Sequence, residues 1–324
     1  MFLNRLTLFV MALSLALCSC SRSNSSSEDV PKSTQVKTLK IAYIPITHAL
    51  PLFMACELPD SLKQSKSIEL VKFGSWPELV EALNTGRVDG ASMLIQLALK
   101  SKEAGFPIKA VALGHRDGNV VVVAPEINSP QDLIGKTIAI PHRLSSLNFL
   151  FRMMIEKAGI DITKMNVIEL PPPEMPAALA EKRVQAYFVA EPFGAKGVVS
   201  GAGKVLYQSE EVWPNSVCCA LVLRDSVIKN NPAETKALMQ DYLRAGTFLA
   251  ANPDAALPVM MKYMNAKEPV LRKSLEWIEY GNLTIDTADY KVLTDWMLKL
   301  ELSKTPPAYS DFVDNSFTKE YYKK

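Results

Sequence analysis

From Leu39 onward, short apolar runs alternate with stretches whose apolar positions recur at helical spacing, and turn residues separate the two. That alternation marks a mostly parallel sheet with covering helices, since a continuous apolar run of strand length is buried on both faces only when helices cross over it. The pattern predicts strands over 40–46, 69–73, 90–93, 110–113, 120–124, 137–140, 167–170, 186–189 and 218–223. A constant shift of 96 positions lays one part of the chain on another. Lys40, Ile44 and Pro45 fall on Lys136, Ile140 and Pro141, while Pro77, Glu78, Ala82, Leu83, Arg87 and Val88 fall on Pro173, Glu174, Ala178, Leu179, Arg183 and Val184. Each set reads as strand, Pro-Glu helix start, apolar helix, then Arg-Val into a further strand, so two similar α/β lobes are expected.

The runs 120–124 and 218–223 are β-prone and uninterrupted by charge, and are expected to be the hinge strands between the lobes. After Arg224 the pattern turns helical: Asn231-Pro232 is an N-cap followed by Pro at the first helical position, and Leu238, Tyr242, Ala245 and Leu249 continue an apolar face. The first lobe is therefore expected over 39–122 plus 224–324, and the second over 123–223.

The N-terminal segment has a different character. Arg5 supplies a positive start, Leu6 to Leu17 an apolar stretch, and Leu17-Cys18-Ser19-Cys20 a small-residue cleavage site, so residues 1–19 read as an export signal. About a dozen apolar residues are too few for a helix to span a bilayer core of ~30 Å. Leu17-x-Ser19-Cys20 resembles a bacterial lipobox, with Cys20 as the lipidated residue and Ser-rich 20–38 as a flexible tether reaching roughly 25 Å from the membrane. The expected location is outside the inner membrane, lipid-anchored and facing the periplasm or the cell exterior; a plain secreted protein with an unmodified Cys20 is the alternative. With Cys20 acylated, Cys56, Cys218 and Cys219 remain, an odd number that argues against a disulfide framework. Adjacent residues on a strand face opposite sides, which predicts a packing role for at least one of Cys218 and Cys219.

The 324 residues are 48% hydrophobic and 22% charged, ample for two cores, and a net charge of +2 with no basic run sets nucleic acid aside. No phosphate loop, nucleophile elbow, dinucleotide fingerprint or zinc-spaced Cys/His set is present, so neither catalysis, nor a cofactor, nor a metal is expected. Ligands of open α/β sheets bind beyond the carboxyl ends of strands, which points to residues just after them. Thr47 and His48 follow the first strand, and His115 and His142 follow two others, with Arg116 and Arg143 next to them. Arg143, Ser145 and Ser146 open a helical run whose free N–H groups favour an anionic or strongly accepting group, although Ser145 also serves as an ordinary helix cap. Trp76, before Pro77, either stacks on a flat ligand or belongs to the core. Ser92, in the third expected strand, completes this set of ligand candidates.

The motifs as a set resemble a known family. They are KIAYIPITHALP at 40–51, Ser75-Trp76-Pro77 with ALNTGRVDG at 82–90, DLIGKT at 132–137, PPPEM at 171–175, Glu191-Pro192-Phe193-Gly194 and Trp213-Pro214-Asn215. Together, over about 40–252, they are similar to the periplasmic binding proteins for nitrate, sulfonates, taurine and thiamine pyrimidine precursors. The resemblance implies a two-lobed class II periplasmic binding protein fold with the ligand in the interlobe cleft, a monomer, and delivery to an ABC permease with a cytoplasmic ATPase. It also implies that Trp76, Asn119, the start of the Ser145 helix and Glu191 line or brace that cleft. The chain departs from the nitrate branch at Leu147, where that branch has His, and at Pro214-Asn215, where it has Lys nearby. A sulfonate or taurine-like solute, or a pyrimidine precursor, is therefore expected ahead of nitrate. Glu191, if it faces the cleft, suits a ligand with N–H donors, and otherwise caps the Pro192 helix. An enzyme of the same fold, or a sensor for a membrane receptor, is the rival reading.

Overall fold

The computed structural model describes residues 37–65 and 68–323. Cys20, the expected export signal and most of the tether lie outside these. Among the described residues the strands are β1 (Leu39–Tyr43), β2 (Ile68–Lys72), β3 (Gly90–Leu94), β4 (Ile108–Leu113), β5 (Arg116–Asp117), β6 (Asn119–Val123), β7 (Thr137–Ile140), β8 (Asn166–Glu169), β9 (Ala186–Ala190), β10 (Lys204–Gln208), β11 (Cys219–Arg224) and β12 (Ile278–Glu279). β3, β6 and β9 are buried at every position, which is why they read as unbroken apolar runs rather than alternating ones.

Two five-stranded sheets share one plan. The first has the order β2-β1-β3-β11-β4, the second β8-β7-β9-β6-β10. In each, three parallel strands are followed by one that runs antiparallel to both its neighbours. The shift of 96 positions carries β3 onto β9, and the helix Trp76–Asn84 onto the turn-plus-helix run at 172–180.

The sheets divide the chain differently from the expected hinge strands. β6 lies wholly in the second sheet, paired on both sides, and β11 lies wholly in the first. A strand bonded along both edges within one sheet has no backbone groups left to bridge lobes. The crossings are instead residues 114–118 and 209–218, each just ahead of the run taken for a hinge. In the first crossing Asp117 and Gly118 both have positive φ, 54° and 71°, and a Cβ on Gly118 would meet the Ile278 side chain at 2.7 Å. β10, half-buried along its whole length at the sheet edge, is the one long strand that the apolar pattern does not mark.

The C-terminal helices pack chiefly against elements of the first sheet. Helix Pro232–Ala251 packs on helix Leu50–Glu57. From it, buried Asp241 accepts from the Gln64 and Ser65 amides and the Ser65 hydroxyl, and Tyr242 Oη donates to Leu113 O at the end of β4. Further on, helix Glu268–Ser274 touches helix Phe193–Val199 of the second lobe, and β12 pairs with β5. Among the described residues no helix is long and apolar enough to cross a membrane.

Candidate ligand-binding cleft

In the first sheet, Cys219 opens β11 opposite Leu94, the last residue of β3, and Ala220 stands opposite Leu113, the last of β4. The antiparallel strand thus begins where its neighbours end. That edge faces the second lobe, and buried polar groups from both sides meet there. Thr47 donates to Glu191 O through its backbone N–H (2.9 Å) and its hydroxyl (3.1 Å), while Tyr280 Oη donates to Thr47 O. Ser146 Oγ donates to Val217 O at 2.6 Å and accepts from Gln96 Nε2, which ties the second-lobe helix Ser146–Lys157 to the first-lobe helix Ile95–Glu103. Ser145 is the N-cap of the former helix: its hydroxyl accepts from Asn148 N and donates to His142 O.

Asn119, fully buried, starts β6, and neither atom of its side-chain amide has a hydrogen-bond partner; the same holds for Gln96 Oε1. Buried amides left unpaired cost free energy that a complementary partner recovers, so these atoms mark the seam as a place for polar recognition. The Glu191 carboxylate is also fully buried and accepts from Ala195 N at 2.9 Å, at the start of helix Phe193–Val199. Burial pushes its pKa up to about 8, against the opposing pull of that amide and of Lys273. A cavity of about 240 Å³ opens between Ile44, Pro45 and Phe73 of the first lobe, Pro173 and Phe193 of the second, and Asn265 of the C-terminal segment.

Beside this seam lies a constellation that sequence reasoning misses. His48 and His115 stack at 3.6 Å between ring centroids, and with Cys218 and Cys219 they place one ligand atom each within 4.8 Å of one another, all four residues being buried. His48 Nε2 lies 3.3 Å from Gly118 O, and its Nδ1 lies 3.5 Å from Cys219 Sγ. Burial, reinforced by His48, drives His115 down to about 4. Burial would raise the Cys218 thiol, but hydrogen bonding from Cys219 and the two histidines outweighs it and holds Cys218 low; burial together with Cys218 pushes Cys219 up. Both cysteines are buried in the core, as a packing role requires, but Cys218 precedes the strand, so strand alternation does not set its direction. The only signal available was positional: His48, His115 and Cys218-Cys219 all fall at the same end of the first sheet.

Of the other candidates, Ser92 is buried in mid-β3 opposite Leu221. Trp76 is 4% exposed in the first turn of helix Trp76–Asn84, packed in the hydrophobic core, with Nε1 unpartnered. Arg143 is not gathered with Ser145 and Ser146. Its side chain is 73% exposed and pairs with Glu169 at 3.3 Å, because the turn after β7 directs it toward the adjacent strand β8. His142 also stands apart from the other two histidines, with its Nδ1 accepting from Leu144 N. The structure thus joins Thr47, His48, Asn119, Ser145, Ser146 and Glu191 along one seam and leaves Arg143 outside it.

The family model described as NMT1-like matches residues 32–262, well over half of the sequence. The chain belongs to the NMT1-like family. Among solved structures, this NMT1-like chain is similar to the ligand-binding component of an ABC-type import system from Staphylococcus aureus, described with zinc bound. The two are 39% identical with a TM-score of 0.83, over 88% of this chain and 98% of that one. The periplasmic nitrate-binding protein NrtA of Synechocystis superposes with a TM-score of 0.73 at 17% identity, over 89% of each chain, which shows the periplasmic binding protein fold. The taurine-binding periplasmic protein of Escherichia coli is 28% identical over 195 residues, 59% of this chain and 60% of that protein. The matches span about a third to three fifths of the length of the first curated relatives. The Staphylococcus, Synechocystis and Escherichia proteins are named as binding components, one of them of an ABC-type import system.

Proposed function

We propose that this protein captures a small polar or anionic solute in the cleft between its lobes and delivers it to an ABC permease with a cytoplasmic ATPase. The observation that carries this reading is the seam itself. Two lobes of identical plan are joined by two crossings, and buried hydrogen-bonding groups from both, Thr47 against Glu191 and Gln96 against Ser146, close on one another. Such a joint opens and shuts with few backbone changes. The relatives are named for nitrate and taurine, and the sequence departs from the nitrate branch at Leu147 and Pro214. A solute carrying both acceptor and N–H groups suits the unpaired Asn119 amide and Gln96 Oε1, which favours an aminosulfonate or aminopyrimidine over nitrate.

Calorimetric titration with taurine, an alkanesulfonate, an aminopyrimidine and nitrate tests this. One of the first three is expected to bind, and Asn119→Ala to weaken it by about 1.5–3 kcal/mol if the amide meets a charged group. Binding of none of them, or an Asn119→Ala protein with undiminished affinity, contradicts the reading.

Lipidation of Cys20 supplies the anchor in this scheme. The Cys20→Ser protein is expected to leave the membrane fraction or to accumulate unprocessed, and wild type to carry an acyl mass on its first residue. A Cys20→Ser protein that stays membrane-bound, beside a wild type without acyl mass, defeats the anchor.

A further inference from the structure

We propose that His48, His115, Cys218 and Cys219 form a binding site for a thiophilic divalent cation of the zinc class, a buried clasp at the base of the cleft. The proposal does not depend on which solute the cleft takes.

The donor set is two imidazoles and two thiols with no carboxylate, which selects zinc-like ions over the hard cations that require oxygen. A tetrahedral ion with bonds of about 2.0–2.1 Å to nitrogen and about 2.3 Å to sulfur sets its ligand atoms about 3.3–3.8 Å apart. The four ligand atoms already lie within 4.8 Å of one another, and His48 Nδ1 and Cys219 Sγ stand 3.5 Å apart. Two thiolates cancel the charge of a divalent ion, so the filled site is neutral, as a fully buried position requires.

The surroundings support the first layer of ligands. A metal-bound histidine commonly donates its second ring N–H to a carbonyl, which fixes the tautomer. His48 has that arrangement, with Nε2 against Gly118 O and Nδ1 directed at Cys219. His115 Nδ1 is buried without a hydrogen-bond partner, although the ring is packed against His48 on one face. Packing alone does not call for two imidazoles and two thiols in one buried group; apolar side chains would fill the volume without unpaired nitrogen.

The site's consequence follows from topology. His115 belongs to the crossing at 114–118 and Cys218 to the crossing at 209–218, while His48 comes from the loop after β1 and Cys219 from the start of β11. An ion held by all four fastens both crossings to the first sheet. Gly114 permits the approach: a Cβ there would stand 2.3 Å from His48 O.

The experiment uses the purified, chelator-stripped protein under reducing conditions, titrated with Co²⁺ and then Zn²⁺. One Co²⁺ per chain is expected, with thiolate-to-cobalt charge-transfer absorption that Zn²⁺ abolishes by displacement. Cys218→Ser and Cys219→Ser are each expected to lower Zn²⁺ affinity by at least about 100-fold. Melting of the metal-free variants serves as the folding control. A wild type that takes up no Co²⁺, or binds it without charge transfer, overturns the proposal, and so does a folded Cys218→Ser/Cys219→Ser protein with unchanged affinity. The wild-type spectrum decides the matter even if a variant fails to fold.

Discussion

Replacing Glu191 by Gln is expected to flatten the decline of stability with rising pH and to leave the variant more stable than wild type above pH 8. The folded-state pKa of Glu191 lies at about 8, raised from 4.5 by complete burial. The folded chain therefore holds a proton that the unfolded chain releases. Its contribution is fully present below pH 4.5, falls as pH climbs toward 8, and is gone beyond. The interval corresponds to as much as about 5 kcal/mol. His115, lowered to about 4, acts in the opposite sense, but only between its folded value and its ordinary 6.5. Cys218, held low, also acts in the opposite sense below its ordinary 9, and the difference between wild type and variant cancels His115 and Cys218 throughout. A Gln side chain can still accept from Ala195 N, so the helix start keeps its partner. Urea unfolding at pH 5, 7 and 9 checks the result; parallel profiles for the two proteins would show that the carboxyl is solvated after all.

Strand placement was legible because burial on both faces leaves an unbroken apolar run, and each of the nine runs marked in the sequence coincides with a strand apart from a few end residues. β10 escaped because its five residues, Lys204–Gln208, are all half-buried at a sheet edge, where neither alternation nor a continuous apolar run arises. The duplicated plan was legible through the constant shift, since equal spacing of strand, helix and strand survives even where side chains diverge. The hinge was misplaced by one step for a physical reason. Apolar, charge-free strands are the rigid, doubly paired parts of each sheet, and the crossings are short polar segments such as Arg116-Asp117-Gly118 that look like ordinary turns.

The seam was legible in part. Thr47 and Ser146 could be named because residues after strands or opening helices face a cleft in this architecture, and Asn119 and Glu191 only through the family resemblance. The Arg143 side chain is exposed and turned to Glu169 on the neighbouring strand, because position after a strand fixes where the backbone goes but not where a long side chain points. Gln96 was overlooked since it sits inside a helical run, with only its place at the helix start to distinguish it. The His48–His115–Cys218–Cys219 group has no local spacing signature at all. It is assembled by β11 inserting antiparallel between β3 and β4, a pairing that sequence periodicity does not encode.

Trp76→Ala is expected to cost about 3–5 kcal/mol of stability, the usual range for deleting a large buried aromatic. Trp76 is 4% exposed, and it begins helix Trp76–Asn84, whose Leu79, Ala82 and Leu83 are buried. Removing the indole leaves a cavity that this helix, pinned by Pro77 in its first turn, cannot easily close. The same side chain also has a buried Nε1 without a partner, so a role toward solute and a role in the core need separating. Trp76→Phe separates them, because it retains most of the apolar volume and removes only the unpaired donor. Its stability is expected to fall far less than that of Trp76→Ala, since loss of packing is offset by removal of an unsatisfied N–H. If the indole N–H meets an acceptor on the solute, Trp76→Phe binds about tenfold more weakly while melting close to wild type. Unchanged affinity in Trp76→Phe together with a strongly lowered melting temperature in Trp76→Ala assigns Trp76 to the core alone, and a Trp76→Ala protein that melts with wild type removes it from the core.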